Sequence, residues 1–346
     1  MMNNMTRIRM IVWVGALIVL SSCNKHRPAD EVDQGVPMVF SAVSQTTPMK
    51  AGSEAGFPYE DFGIWGMARK AGHEDYVLWT ADAMTKVAKS GTSYVPASNA
   101  YWFSGFEYNF IGIAPFDPSI SGGAATEFAF QQAAGEQKDA VSFTYNMTTH
   151  YASTDYDFDL MGAVAQTLCA QASGQSAQPL KFYHLLAQVN IQVKFVDADG
   201  NTTVGSVQAM RLCHVDAVSR YTISRGNSDY PPTVTFALPQ EADRVQSQID
   251  FVAEAGTDFV SAPATVHILP QNITGLELYL DFTLGQGDNA IAFTDFKANL
   301  NANPAVYEPN NVYNWTLAIG PKGAISFKVD VVPWTPQQVG GDIDIY

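Results

Sequence analysis

Six histidines and three cysteines are the residues of this 346-residue chain most readily turned to catalysis or metal binding. The histidines are His26, His73, His150, His184, His214 and His267. No two have the i, i+4 spacing that sets a pair of metal ligands on one helix face. His214 follows Cys213 directly, but neighbours on a strand point to opposite faces, so the pair does not read as one site. His184 shares a face with Phe182 and Leu186 and reads as a hydrogen-bonded core residue. Asp197-Ala198-Asp199-Gly200 echoes the opening of a calcium loop without its later spacing or distal Glu, and reads as a hairpin turn. Asp155, Asp157 and Asp159 alternate, so a strand would carry them on one solvated face. Trp65, Trp79, Trp102, Trp315 and Trp334 are the right type to stack on sugars, yet they never cluster in one loop and read as core or sheet-edge packing. A nucleophile elbow, a P-loop and a Rossmann glycine pattern are all missing from the sequence. The expectation is a chain with no catalytic residues, no metal site and no cofactor.

The third cysteine has a different setting. Met10–Leu20 is an eleven-residue apolar run, about half the ~20 residues a spanning helix needs. Arg7 and Arg9 precede it and Ser21 and Ser22 follow, which makes residues 1–22 a secretory signal peptide. Leu20-Ser21-Ser22-Cys23 resembles a bacterial lipobox, so Cys23 is expected to be acylated and to become the new N-terminus. Two acyl chains hold a protein on a membrane because each buried methylene contributes ~0.8 kcal/mol. The exported chain loses two arginines and no acid, which leaves 17 basic against 34 acidic residues and a charge of −17. That acidity argues against nucleic acid as a partner. Cys169 and Cys213 then remain, free to pair or to stay apart.

The elements that must position these residues are strands. Charged residues are only 15% of the chain and aromatics 12%, a β-rich composition. After a polar tether over 23–35, strand signals fall at 37–43, 61–68, 76–79, 108–115 and 141–147. In 188–195, Val189, Ile191, Val193 and Phe195 alternate with polar residues, and in 276–284 Leu276, Leu278, Leu280, Phe282 and Leu284 share a face. Near the end, VYNWTLAI and AISFKVDVV flank Gly320-Pro321-Lys322-Gly323 as a hairpin. It sets Tyr313, Trp315, Leu317 and Ile319 opposite Ile325, Phe327, Val329 and Val331. Strands punctuated by turns, without helical patterns between them, predict an all-β fold of antiparallel β-sandwiches. The small-residue stretch 170–179 divides the chain into an N-terminal domain over 36–175 and a C-terminal domain over 176–346.

These segments, taken in order, resemble the fimbrillin family of type V pilus subunits. The resemblance runs from the lipobox through PMVFSAV, PMKAG and FGIWG (62–66) to YNFIGIAP (108–115). It continues through FYHLLAQVNIQV (182–193), similar to the family's F-x-H-x-L-A motif, to the closing hairpin NVYNWTLAIGPKGAISFKVDVVPW (311–334). The resemblance implies two tandem transthyretin-like domains and a lipoprotein precursor at the outer membrane. It also implies a trypsin-like maturation protease and assembly with other pilus subunits by donor-strand exchange. On that pattern Val36, Met38, Phe40 and Ala42 are the apolar face of a removable first strand. The cut falls between Lys50 and Ala51, although the family's pattern more often has arginine there. Arg27 precedes Pro28, and cutting there leaves the strand in place. Val339, Ile343 and Ile345 share the face of a donor strand, with an ordinary last strand as the alternative. A subunit that keeps its lipid is implied to be an anchor, a tip or a surface adhesin binding a glycan or host protein.

Overall fold

Short apolar runs such as YNFIGIA have no polar face, and a strand of this kind must be covered on both sides. A computed structural model of the chain shows how that cover is arranged. It describes residues 35–44, 57–72, 77–78, 84–120, 126–129, 140–152, 158–169, 177–224, 232–238, 240, 243–252, 264–300 and 304–334. The segments around Cys23, Lys50–Ala51 and Val339–Ile345 lie outside the described residues. The fold is nearly all β, with one five-residue α-helix, Thr148–Ala152, among the described residues.

Seven strands form a ring in the order Asp61–Lys70, Thr85–Ser90, Ser93–Pro96, Phe40–Ser44, Gln178–His184, Met161–Cys169 and Phe106–Ala114. The ring closes where Phe106–Ala114 pairs with Asp61–Lys70, in register from Gly63 opposite Ile113 to Lys70 opposite Phe106. Its interior holds Phe40, Phe62, Ile64, Trp102, Tyr108, Phe110, Leu180 and Phe182, each under 2% exposed. The alternate residues Trp65, Ile111, Ile113 and Val164 point outward. A second sheet covers them, ordered Thr233–Ala237, Val218–Ser224, Ala140–Asn146, Thr126–Ala129. Trp65 stacks on Phe143 with centroids 6.3 Å apart, and Phe143 stacks on Tyr221 at 5.6 Å. Both faces of the strand from Tyr108 to Ala114 are therefore dry.

Most of the remaining described strands form two four-stranded sheets around one core. One is ordered Ala264–Ile268, Ala187–Phe195, Asn311–Ile319, Ile325–Pro333, and the other Gln246–Val252, Gly205–Asp216, Glu277–Leu284, Ile291–Ala298. Val189, Ile191 and Val193 from the first join Leu212, Leu278 and Leu280 from the second, all fully buried. The closing hairpin has the expected register: Tyr313 faces Val331, Trp315 faces Val329, Leu317 faces Phe327 and Ile319 faces Ile325. Pairing among the described strands is antiparallel except Phe40–Ser44 with Gln178–Phe182 and Gln188–Phe195 with Val312–Ile319.

Hydrogen bonding crosses residue 175 in both directions. Gln178–His184 completes the ring, and Ala140–Asn146 pairs with Val218–Ser224. The division expected between 175 and 176 thus does not coincide with a break in strand pairing. A strand's partner is set by where its apolar face finds cover, not by sequence order.

Candidate functional site

The first strand, Val36 to Ser44, is the element whose placement bears most directly on function. Val36 and Pro37 pair with Trp102 and Tyr101, and the Met38 amide donates to the Ala100 carbonyl at 2.8 Å. Beyond it, Phe40 to Ser44 runs parallel to Gln178 to Phe182 for five residues. On its other side this Phe40–Ser44 stretch is held by one pair, Phe40 opposite Tyr94. Phe40 to Ser44 thus has a full ladder along one side and a single pair along the other.

Its side chains nevertheless reach the centre. Phe40 is completely buried and Met38 is 2% exposed. Phe40 meets Phe110 edge-on at 5.3 Å, with Phe62 at 6.4 Å and Trp102 at 6.3 Å. Val36 and Ala42 are partly buried against the same cluster. The structure therefore brings Val36, Met38, Phe40 and Ala42 to one apolar face. Phe57, seven residues after Lys50 in the sequence, packs on Phe182 at 4.7 Å and on Tyr94 at 5.7 Å. Without residues 36–44, the remaining ring is an apolar groove lined by Phe62, Tyr94, Trp102, Phe110, Leu180 and Phe182. Burying a side chain of Met or Phe size contributes ~1.5–3 kcal/mol. Such a groove stays dry only when another strand fills it.

Two clusters elsewhere carry titratable groups. His184 is 7% exposed, and its Nδ1 lies 2.6 Å from Asp159 Oδ2. Asp159 is itself 7% exposed and lies outside any strand, which corrects the expected solvated face. Its buried position fits the imidazole contact, while Asp155 and Asp157 lie outside the described residues. The Tyr59 hydroxyl donates to the Asp159 carbonyl. The His184 ring stacks on Trp334 with centroids 3.9 Å apart and planes 1° apart, and the His267 ring lies tilted against Trp334 at 4.6 Å. Asp159 Oδ1 and His184 Nε2 are buried with no hydrogen-bond partner. The arrangement is a pin joining the ring to Trp334, just after the closing hairpin. Trp334→Ala is expected to cost ~3–5 kcal/mol through the cavity it leaves. His184→Ala is expected to cost ~1–3 kcal/mol by orphaning the Asp159 carboxylate. Urea unfolding of the two variants measures both.

The second cluster corrects a sequence expectation. The strand Gly205–Asp216 shifts register between Leu212 and Val215, and His214 sits at φ +62°. The bulge turns His214 to the side of Cys213, so both line an open pocket of about 280 Å³ with Gln248, Glu277 and Tyr279. Alternation would have put them on opposite faces; one inserted residue reverses that. Cys213 is a free thiol, and burial raises its pKa, so it is not activated as a nucleophile. Its Sγ lies 3.6 Å from Gln248 Oε1. Glu277 is held below the usual carboxylate range by its hydrogen bond from Lys297 at 2.6 Å. Among the described residues, no group of three His, Cys, Asp or Glu side chains is placed to hold a metal ion. Asp197 Oδ1 is taken up by the Asp199 and Asn201 amides, which makes 197–201 a turn that the Val196–Thr202 bridge closes. The strands on either side of that turn belong to different sheets. Trp65, Trp102, Trp315 and Trp334 are all buried, and Trp79 has no described side chain.

A family model described as fimbrillin-like matches residues 54–334. A crystal structure of a candidate cell adhesion protein from Parabacteroides distasonis superposes with a TM-score of 0.50 at 12% identity, covering 88% of this chain and 99% of that one. A second candidate cell adhesion protein, from Bacteroides uniformis, gives 0.48 at 16% identity, with 88% and 99% covered. A fimbrial protein from Bacteroides vulgatus gives 0.49 at 15% identity, with 86% and 99% covered. No curated protein matches the sequence. No helix among the described residues is long and apolar enough to cross a membrane.

Proposed function

Since the chain belongs to the fimbrillin-like family, we propose that it is a structural subunit of a cell-surface pilus with no catalytic role. It is exported as a lipoprotein acylated on Cys23 and reaches the outer membrane by that anchor. A trypsin-like protease then cuts between Lys50 and Ala51 and releases the anchor with strand 36–44. The vacated groove takes the C-terminal segment around Val339, Ile343 and Ile345 from another subunit. Because that contact is heterologous and does not close, subunits add head to tail into a filament that supports adhesion.

One observation carries this reading. Met38 and Phe40 of the first strand are buried in an aromatic groove, yet its Phe40–Ser44 stretch is tied by a single residue pair on one side. A strand so placed leaves a well-formed acceptor when it goes. The family match also begins at residue 54 and ends at 334, leaving out both segments proposed to exchange. A second reading rests on the lysine at the cut, where the family's pattern more often has arginine. An uncut subunit keeps its lipid and serves as anchor, tip or surface adhesin for a glycan or host protein. Mass spectrometry of protein extracted from the cell surface separates them. An N-terminus at Ala51 is expected for the polymer subunit, and an acylated Cys23 on all of the material overturns it in favour of the anchor.

A further inference from the structure

Ile325–Pro333 lies at one end of its sheet, and its outer side has no partner among the described residues. At nine residues it is the longest edge strand among them. Sheet edges are ordinarily guarded by bulges, shortness, lysines or prolines. The edge Ile291–Ala298 follows that rule, with a register shift between Leu280 and Phe282 of its neighbour and Asp295 at φ +51°. Ile325–Pro333 instead keeps an unbroken register with Asn311–Ile319 from end to end. Its one lysine, Lys328, is neutralised by Asp330 at 2.8 Å, and its proline stands at the last position. Val331 and Val332 are 43% and 44% exposed.

The backbone decides which residues offer hydrogen bonds outward. The Trp334 amide donates to the Asn310 carbonyl, and the Gly320 amide donates to the Ala324 carbonyl. Even-numbered residues of this stretch therefore bond the neighbouring strand. By alternation, the polar backbone groups of Ile325, Phe327, Val329 and Val331 point to the open side. Ile325, Phe327 and Val329 also pack their side chains on the core, while Lys328 and Asp330 are exposed on the other face.

That parity rules out a parallel partner. In a parallel pair, a residue whose backbone groups face the partner stands opposite one whose groups face away. The Ile319 carbonyl, for example, accepts from the Val196 amide while Phe195 stands opposite Ile319. Two copies of the edge joined in this way would set odd residues against even ones, and so apolar side chains against Lys328 and Asp330.

Antiparallel copies pair odd residues with odd, and charge then selects the register. Centred on Lys328 the pairing opposes two lysines, and centred on Asp330 it opposes two aspartates; like charges directly opposite are destabilising. Centred on Phe327 or on Val331 it sets both charges against uncharged residues and leaves part of the strand unmatched. Centred on Val329 it overlaps all nine residues. We infer that Ile325–Pro333 pairs edge to edge with the same strand of a second copy in this last register. Lys328 of each copy stands opposite the partner's Asp330, in the closer, non-hydrogen-bonded type of pair. Val331 is covered by the partner's Phe327, and Val329 meets the partner's Val329. Pro333 has no N–H, so the ladder stops there. The contact uses neither the first-strand groove nor the residues after Trp334, and it is available to the uncut chain. A single strand pair is at the weak end of specific interfaces and comes apart in SDS.

Disulfide trapping reads the register on the full chain, kept uncut by Lys50→Gln. With Cys23, Cys169 and Cys213 replaced by serine, one preparation carries Lys328→Cys and another Asp330→Cys, both at exposed positions. Oxidation of the mixture is expected to link one of each, while neither preparation links to itself. Self-linked Lys328→Cys or self-linked Asp330→Cys overturns the register. No link in any combination overturns the pairing. Links that form only after residues 335–346 are deleted overturn it too, and identify the chain's own end as the occupant of the edge. Charge reversal supplies a readout without cysteines. Lys328→Asp and Asp330→Lys are each expected to weaken self-association roughly tenfold in sedimentation, and their equimolar mixture to restore it. A mixture that associates no better than either variant alone overturns the charge pairing, while the pilus reading stands or falls on cleavage at Lys50.

Discussion

Cutting the purified precursor with a lysine-specific protease is expected to turn a monomer into a ladder of SDS-resistant oligomers, and Lys50→Gln is expected to block the change. Before the cut, the first strand is part of the same chain as its groove. Its effective concentration there exceeds that of a neighbouring donor, by ~10²–10⁴-fold in overall occupancy for tethered pairs of this kind. Cleavage at Lys50 removes that advantage without disturbing any residue of the groove, since Phe57 and everything after it stay with the mature chain. The fragment then competes on equal terms with donors from other subunits, and once it diffuses away the apolar groove can be covered only by one of them. Lys50 is the sole basic residue of the 44–56 loop. Lys86, Lys89 and Lys181 lie within paired strands, where a protease must first unfold the ladder. Cleaved protein that remains monomeric with its 36–44 strand bound would exclude strand exchange. A ladder from Lys50→Gln would place the cut elsewhere.

Much of the architecture could be read from alternation alone. Where a strand has one wet and one dry face, as in Gln188–Phe195 or the closing hairpin, the period of two fixes which residues meet, and Tyr313–Val331 through Ile319–Ile325 fall opposite one another as expected. The apolar face of Val36, Met38, Phe40 and Ala42 was visible for the same reason. What covers that face was not. The strand's partner, Gln178–His184, lies more than 130 residues away and beyond the small-residue stretch that suggests a domain boundary. Nothing local in either sequence specifies the pairing. Likewise Tyr108–Ala114 is buried on both faces, so its sequence shows that it is inside but not against what. His214 escaped because a β-bulge leaves no strong mark at Leu212-Cys213-His214-Val215, and one extra residue reverses the side chain's face. The His184–Asp159–Trp334 pin joins residues from three distant segments. The burial of His184 was predictable from Phe182 and Leu186, whereas its partners depended on the ring and the hairpin being in place.

Deleting residues 339–346 is expected to abolish polymerisation after cleavage while leaving the melting temperature of the monomer unchanged. The stability half of that expectation follows from how the closing hairpin is held. Trp334 is the last described residue, 7% exposed and packed against His184 and His267, and its amide donates to the Asn310 carbonyl at 3.0 Å. The closing hairpin is thus anchored before the deleted segment begins. The assembly half follows from the groove, which is untouched. A truncated subunit still accepts a donor but offers none, so it ends a filament wherever it is incorporated. Adding truncated subunits to full-length ones is therefore expected to shorten the ladder in proportion to their share, a dominant effect that simple misfolding does not produce. A tip adhesin gives a different pattern, because its C-terminus is folded in and its deletion lowers the melting temperature. Truncated subunits that polymerise as well as the full chain would show that the donor lies elsewhere in the molecule. The edge strand Ile325–Pro333, whose outer side is unpaired among the described residues, would then be the next place to look.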